Sequence, residues 1–252
     1  MDYKLLLDTA VLAGKIMLEN GAEIYRVEDT IYHILKKSEL KVAQAYVVST
    51  GIMVTLDDPA IDSLTVIRRI RERRTNLNFI DKVNSISRNF CADKITLKEA
   101  FHDLKHMEPN YYNNWLQILA TAVCTGSFSV LFGGGWEEAG VAFVVGILVA
   151  LVTLGGRRIN LNGFLTNAVC SVVIAWGTIL FSNIPGVEIN INPVIIGSIM
   201  PLVPGAAITN AVRDMLQGDF NASGAKILEA FVIAAAIAAG VGLGFFMTGG
   251  LR

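Results

Sequence analysis

The sequence predicts an α+β domain over residues 1–112, cytoplasmic, fused to an all-α multi-pass membrane domain over residues 113–252. That second domain is read as five transmembrane helices, the fourth broken by proline and glycine. Three observations predict this. Of 21 Lys and Arg, 16 fall within residues 1–114, as do 16 of 22 Asp and Glu, so the second half is nearly stripped of charge. Glycine runs the other way, with 20 of 23 lying beyond residue 114. The mean hydropathy of +0.51 is high for a soluble chain. The apolar residues also come in blocks close to the roughly 20 that a helix needs to cross a bilayer core.

In the first half, Leu5, Leu6, Ala10, Ala13 and Met17 repeat at helical spacing and predict a helix from Tyr3 to Glu19. Asn20-Gly21 stops it, Gly21 being able to take the left-handed cap. A second helix is expected from about Ala22 to Lys37, with Ile24, Val27, Ile31 and Ile34 as its apolar stripe. Its polar face carries Glu23, Arg26, Thr30, His33 and Lys37; Glu23 and Arg26 are spaced to pair, or the whole face is simply solvated. Val42 to Leu56, punctuated by Ser49-Thr50-Gly51, reads as two strands or one bent strand, and Leu64 to Ile70 as another. Arg68, Arg69, Arg71, Arg73 and Arg74 form a basic cluster around Glu72, read as a solvated strand edge, an anionic-lipid contact or, least well, a nucleic-acid contact. Asp81 to Phe90 is amphipathic. Thr96-Leu97-Lys98-Glu99 is a capping-box pattern opening a helix to about Met107, before Pro109.

In the second half the expected spans are about 115–132, 139–154, 164–181, 193–212 and 227–247. Abundant small residues, as in Gly240-Val241-Gly242-Leu243-Gly244, permit close helix packing and self-association into a homo-oligomer. Tyr111, Tyr112, Trp115 and Trp136 fall at expected interfaces. Arg157-Arg158 lies between the second and third spans, and Arg213 and Lys226 between the fourth and fifth. The other two connections carry only Glu137, Glu138 and Glu188. The positive-inside rule therefore places the N-terminal domain in the cytoplasm and, after five crossings, the C-terminus outside, with Arg252 too little to reverse it.

The fourth span is the unusual one. Pro201 and Pro204 each remove an N–H donor and disfavour helix before them, Gly205 follows, and Thr209, Asn210, Arg213 and Asp214 come next. Unwound backbone at membrane depth is tolerated only inside protein or along a polar cavity, and transporters build substrate sites from such breaks. Two readings stay open: a site near the midplane, or a kinked helix whose polar residues belong to a cytoplasmic loop. Asn167, with Thr166 and Ser171 in the third span, is likewise either a site group or glue between helices. Asp214 could set the position of Arg213 or pass a proton, and Asp219 could carry a proton or cap the turn after Gly218.

Several classes are disfavoured. The net charge of −1 argues against a nucleic-acid partner. Cys91, Cys124 and Cys170 have no pairing or metal-ligand spacing and read as small apolar residues. His102 and His106 sit at i,i+4, but no acidic third ligand accompanies them, so neither a metal nor a cofactor is expected. No nucleophile–base pair lies at membrane depth, so the chain is not expected to be an enzyme. A membrane sensor that binds a ligand on the second helix, around Glu23, Arg26 and Glu28, is the alternative to a transporter.

Two motifs then coincide. Gly21-Ala22-Glu23-Ile24-Tyr25-Arg26-Val27-Glu28 opens the second helix, and the run from Pro204 through Asn210-Ala211-Val212-Arg213-Asp214 to Gly218-Asp219 lies late in the membrane half. In this order and at this distance they resemble the threonine/serine exporter family, as do Thr50-Gly51-Ile52 and the helix holding Asn84. The chain looks like the larger, N-terminal component of that family's split, two-chain form. The resemblance implies a multi-pass inner-membrane exporter of a small polar metabolite: threonine or serine, or, as the split form is associated with, succinate. It also implies a smaller membrane partner chain. The substrate pathway would then run by Asn167, Pro201, Pro204, Gly205, Thr209, Asn210, Arg213, Asp214 and Asp219, with Glu23, Tyr25, Arg26 and Glu28 as the motif of the cytoplasmic domain.

Overall fold

The computed structural model describes residues 1–71, 75–108, 112–186, 188–218 and 220–249. Glu72, Arg73, Arg74, Pro109, Tyr111, Asp219 and Arg252 lie outside the described residues. The chain divides into two compact units, one of Met1–Asn110 with Asn210–Ala225, the other of Tyr111–Thr209 with Lys226–Arg252.

The first unit opens with α1 (Tyr3–Glu19), whose bounds are those its apolar spacing predicts. Asp2 caps it by accepting the Leu5 N–H at 3.0 Å. Gly21, at φ +90°, turns the chain into α2 (Ile24–Lys36). The helix begins two residues later than expected, and Thr30, expected on its polar face, is buried. Val42 to Leu56 resolves into two strands, β1 (Val42–Val48) and β2 (Gly51–Asp58), joined by a two-residue turn at Ser49-Thr50; β3 is Ile61–Arg69. They form an antiparallel meander in the order β1-β2-β3. Ile52, Val54 and Leu56, every second residue of the central strand, are buried, as the period of a strand requires. Arg68 and Arg69 end the outer strand β3 and are exposed, consistent with the strand-edge reading of this part of the basic cluster.

Two further helices complete this unit, α3 (Leu77–Cys91) and α4 (Leu97–Lys105). The capping box of α4 forms: Glu99 Oε2 accepts the Thr96 N–H at 2.7 Å, and these bonds hold the Glu99 carboxyl below its ordinary pKa. The core joins Leu6, Met17, Ile31, Leu35, Ile52 and Val83, and Ala222 belongs to it. Each such aliphatic side chain, fully buried, contributes about 1.5–3 kcal/mol.

The second unit is helical. It contains α5 (Asn114–Leu131), α6 (Trp136–Arg158), α7 (Gly163–Ser182) and α8 (Ile191–Ile199). A single 3-10 turn at Met200–Leu202 follows, then α9 (Gly205–Leu216) and α10 (Phe220–Met247), which both units share. Among the described residues four helices, α5, α6, α7 and α10, are long and apolar enough to cross a membrane. A fifth crossing arises if α8 and α9, bent by 62° at the break, count as one span. Several expected ends move, including the bent pair, which runs on to Leu216 past the expected 212. α6 runs on to Arg158 because guanidinium groups in the last turn favour the negative end of the helix dipole instead of breaking the helix. α10 starts at Phe220, seven residues before the expected Ile227, because Ala222 and Ser223 are buried rather than looped out.

Glycines decide how closely these helices approach. A Cβ on Gly197 of α8 would lie 2.5 Å from the Ser129 nitrogen and 2.7 Å from its Cα, so α8 rests on the backbone of α5. Gly146 of α6 meets Thr125 and Ala122 of α5 in the same way. Thr125, wholly buried, donates across to the Ala142 carbonyl at 2.8 Å. Gly197→Ala should therefore cost about 1–3 kcal/mol. Gly155→Ala, where a Cβ meets nothing within 4 Å, should be neutral or stabilising by up to about 1 kcal/mol. Thermal unfolding of the two variants in one detergent tests the contrast; equal melting temperatures would refute it.

Candidate functional site: a polar pocket beside the broken helix

The break is built by local chemistry. Pro201 sits in the 3-10 turn that follows α8 directly, and the N–H donor it lacks interrupts the helical ladder there. Val203, preceding Pro204, is extended at φ −65° and ψ 129°, as the residue before proline prefers. Hydrogen bonding resumes at once: Val203 N–H donates to Met200 O at 3.2 Å, Gly205 N–H to Val203 O at 2.8 Å, and Ile208 N–H to Pro204 O at 3.1 Å.

Beside this break lies a cavity of about 240 Å³. Gln117 and Thr121 of α5, Thr153 and Arg157 of α6 and Asn167 of α7 supply its polar lining, and Pro201 and Leu202 close it. Arg157 Nη1 donates to Gln117 Oε1 at 3.0 Å. The two threonine hydroxyls are already engaged, Thr121 on the Gln117 carbonyl and Thr153 on the Val149 carbonyl, both at 2.9 Å, and Thr153 Oγ1 also meets Cys170 Sγ at 3.6 Å. Among the described residues, the Asn167 carboxamide takes no partner. Among the described residues the pocket thus presents one guanidinium tied only to a neutral amide, one unengaged carboxamide, and no carboxylate.

Of the residues singled out from the sequence, Asn167 and Pro201 meet here. Pro204 instead lines a separate apolar groove of about 620 Å³ with Ile208 and residues of α10. Gly205 begins α9, and the Thr209 hydroxyl donates to the Gly205 carbonyl at 2.9 Å. Asn210 is half-buried and Asp214 is buried on the same helix. Gln117, Thr121, Thr153 and Arg157 were not anticipated as site residues. Their spacing carries a signal: 117 and 121, then 153 and 157, are polar pairs at i,i+4 on two adjacent apolar helices.

A second cluster forms within the first unit. Glu23, at the N-cap of α2, pairs through Oε1 with the Arg213 guanidinium, and its Oε2 lies 3.1 Å from Arg26 Nε. The Glu23 side chain is 14% exposed, so these two cations offset the cost of desolvating it. Arg26 Nε also donates to the Tyr25 hydroxyl at 3.3 Å. Glu28 faces the sheet, where Oε1 accepts the Val47 N–H at 2.9 Å. The sequence motif of α2 and that of α9, 190 residues apart, are thus joined by one carboxylate.

Several helices able to cross a membrane, one bent pair and a polar pocket at its break define a multi-pass membrane protein of the transporter class. The chain belongs to the ThrE threonine/serine exporter family, whose model matches residues 8–248. It is 24% identical over 237 residues to a Klebsiella aerogenes protein named "Probable succinate transporter subunit YjjP", covering 92% of this chain and 90% of that one. The Escherichia coli protein of the same name is 23% identical over the same shares. The "Threonine/serine exporter" of Corynebacterium glutamicum is 23% identical over 95% of this chain, which spans 50% of that relative's length. No solved structure matches.

The Glu23–Arg213 pair can be tested by exchanging its charges. Glu23→Arg places three guanidinium groups together, and Arg213→Glu sets two carboxylates side by side, so each should lower the melting temperature. The double exchange should recover most of the loss, with a coupling of about 1–2 kcal/mol in a double-mutant cycle. Strictly additive losses would show that the pair contributes nothing.

Proposed function

We propose that this chain is one component of an exporter and that it passes a small carboxylate-bearing metabolite through the pocket beside the broken helix. The observation that carries this reading is the lining itself: Arg157, held only by the neutral Gln117, with Asn167 opposite and no acidic group. A guanidinium presents parallel N–H donors that match a carboxylate. A zwitterion's ammonium would find only amide, hydroxyl and carbonyl oxygens there. Between the substrates named for the relatives, this favours a dicarboxylate such as succinate over threonine or serine. Asn210, Asp214 and Asp219 remain pathway candidates from the sequence motif alone, and Arg213 is engaged by Glu23.

The chain works with a second, smaller chain that carries another membrane half. The word "subunit" in the relatives' name supports this, as does the span of only half the Corynebacterium relative. The N-terminal unit faces the cytoplasm of the inner membrane and the C-terminus lies outside. Residues 210–225 belong to the N-terminal unit, which supports placing the connection before α10 on that same side.

The test is efflux of labelled succinate, threonine and serine from cells lacking their own exporters, with this chain alone and with the second membrane chain from the same genome. Succinate efflux should require both chains. Losing a charge-assisted hydrogen bond is worth about 1.5–3 kcal/mol, so Arg157→Ala should cut efflux roughly 10–100-fold at unchanged membrane abundance, and Arg157→Lys by less. Unchanged efflux by Arg157→Ala would refute the assignment.

A further inference from the structure

The first unit holds a groove that export leaves unused. It is an open cavity of about 700 Å³ between α2 and the β1–β2 face. Tyr25, Glu28, Asp29 and Tyr32 follow one another at i, i+3, i+4 and i+7 along α2, and Tyr46 of β1 stands across from them. All three tyrosines are exposed: Tyr25 by 36%, Tyr32 by 46% and Tyr46 by 60%. Three phenol rings and two carboxylates line the space, and no lysine or arginine among the described residues does.

We propose that this groove binds a small organic cation of the alkylammonium class. Aromatic faces attract such cations through the ring quadrupole, and carboxylates add the charge that fixes them. Asp29 is the carboxylate best placed to do so. Its side chain is 66% exposed and meets His33 Nδ1 at 3.3 Å through Oδ1 alone, while Oδ2 takes no partner among the described residues. Glu28 adds charge from a fixed position, since Val47 N–H holds it.

The same bond argues against an extended peptide as the occupant. In an antiparallel sheet the backbone groups of alternate residues point away from the neighbouring strand. On β1 the Val47 N–H points to the open edge, and there Glu28 has already taken it, so a strand adding along β1 would have to displace α2's own carboxylate. A free carboxylate or phosphate is disfavoured by the two acidic groups.

Tyr25 connects the groove to the Glu23–Arg213 pair, because its hydroxyl accepts from Arg26, which itself stands against Glu23. A cation held at Tyr25 therefore lies two residues along the chain from the carboxylate that grips α9, and the groove is suited to sensing a soluble amine rather than to passing the exported metabolite.

Calorimetric titration of the full-length chain in detergent tests this, using tetramethylammonium and 1,4-diaminobutane as probes and sodium chloride of equal ionic strength as the control. Both probes should bind. Tyr46→Ala and Asp29→Asn, at exposed positions, should each weaken binding at least about tenfold with the melting temperature unchanged. Arg157→Ala should bind both probes normally, so the result stands or falls independently of the transport pocket. No heat beyond the salt control, equal affinity in both groove variants, or binding of an oligolysine peptide without binding of the small amines would each overturn the proposal.

Discussion

Backbone polar groups that lie within a bilayer core have no water to turn to, and the membrane unit is arranged around meeting that constraint at one place. The α8–α9 pair tightens into a 3-10 turn at Met200–Leu202 and stops being helical at Val203-Pro204. Short-range bonds from Val203, Gly205 and Ile208 recover part of the ladder there. The remainder must be sheltered by neighbours, since lipid-exposed irregular backbone does not persist at that depth. Close approach supplies the shelter. Gly197 lets α8 lie on the backbone of α5, Gly146 lets α6 do the same, and Thr125 donates from one helix to the carbonyl of another. The polar pocket lies against the sheltered break, where Pro201 and Leu202 form part of its wall.

The N-terminal unit obeys a different balance. Its core is aliphatic and ordinary, but α2 carries polar groups on more than one side, and each side has an assignment. The end that holds Glu23 and Arg26 is committed to Arg213 of α9. The stripe from Tyr25 to Tyr32 looks into the groove, and Glu28 ties that stripe to the edge of the sheet. A shift of α2 would disturb both a long-range ion pair and a backbone bond of β1, so a ligand in the groove has a mechanical route to α9 that passes through two named contacts.

Much of this was legible in the sequence. α4 begins where its capping box says, because caps are local chemistry, and α1 begins where its apolar spacing does. The break was legible because proline acts on its own residue and the one before it. The ends of α6 and α10 were not, because a helix continues through charged and polar residues wherever its backbone bonds and buried contacts favour it. Asn167 and Pro201 were found as site residues because polar or helix-breaking groups stand out against an apolar run. Arg157 was read only as a marker of membrane side. A charge at the end of a span looks the same in sequence whether it faces solvent or a pocket, and its meeting with Gln117, 40 residues earlier, is a tertiary fact.

The two arginines also divide the work by the partners they keep. Arg213, the cation most conspicuous in the sequence, is paired with a carboxylate that is itself largely buried. For it to take a substrate carboxylate, Glu23 would have to lose one of its two cations at a site with little water to replace it. Hydrogen bonds to charged groups are worth about 1.5–3 kcal/mol, against about 0.5–1.5 kcal/mol for neutral ones, and an abandoned buried charge costs more than either. Arg157 faces no such penalty. Its partner is a carboxamide, so exchanging Gln117 for an incoming carboxylate replaces a weaker bond by a stronger one and strands no charge. On these magnitudes a substrate recruits Arg157 more readily, and Arg213 is better suited to holding α9 in place than to following cargo through the pocket.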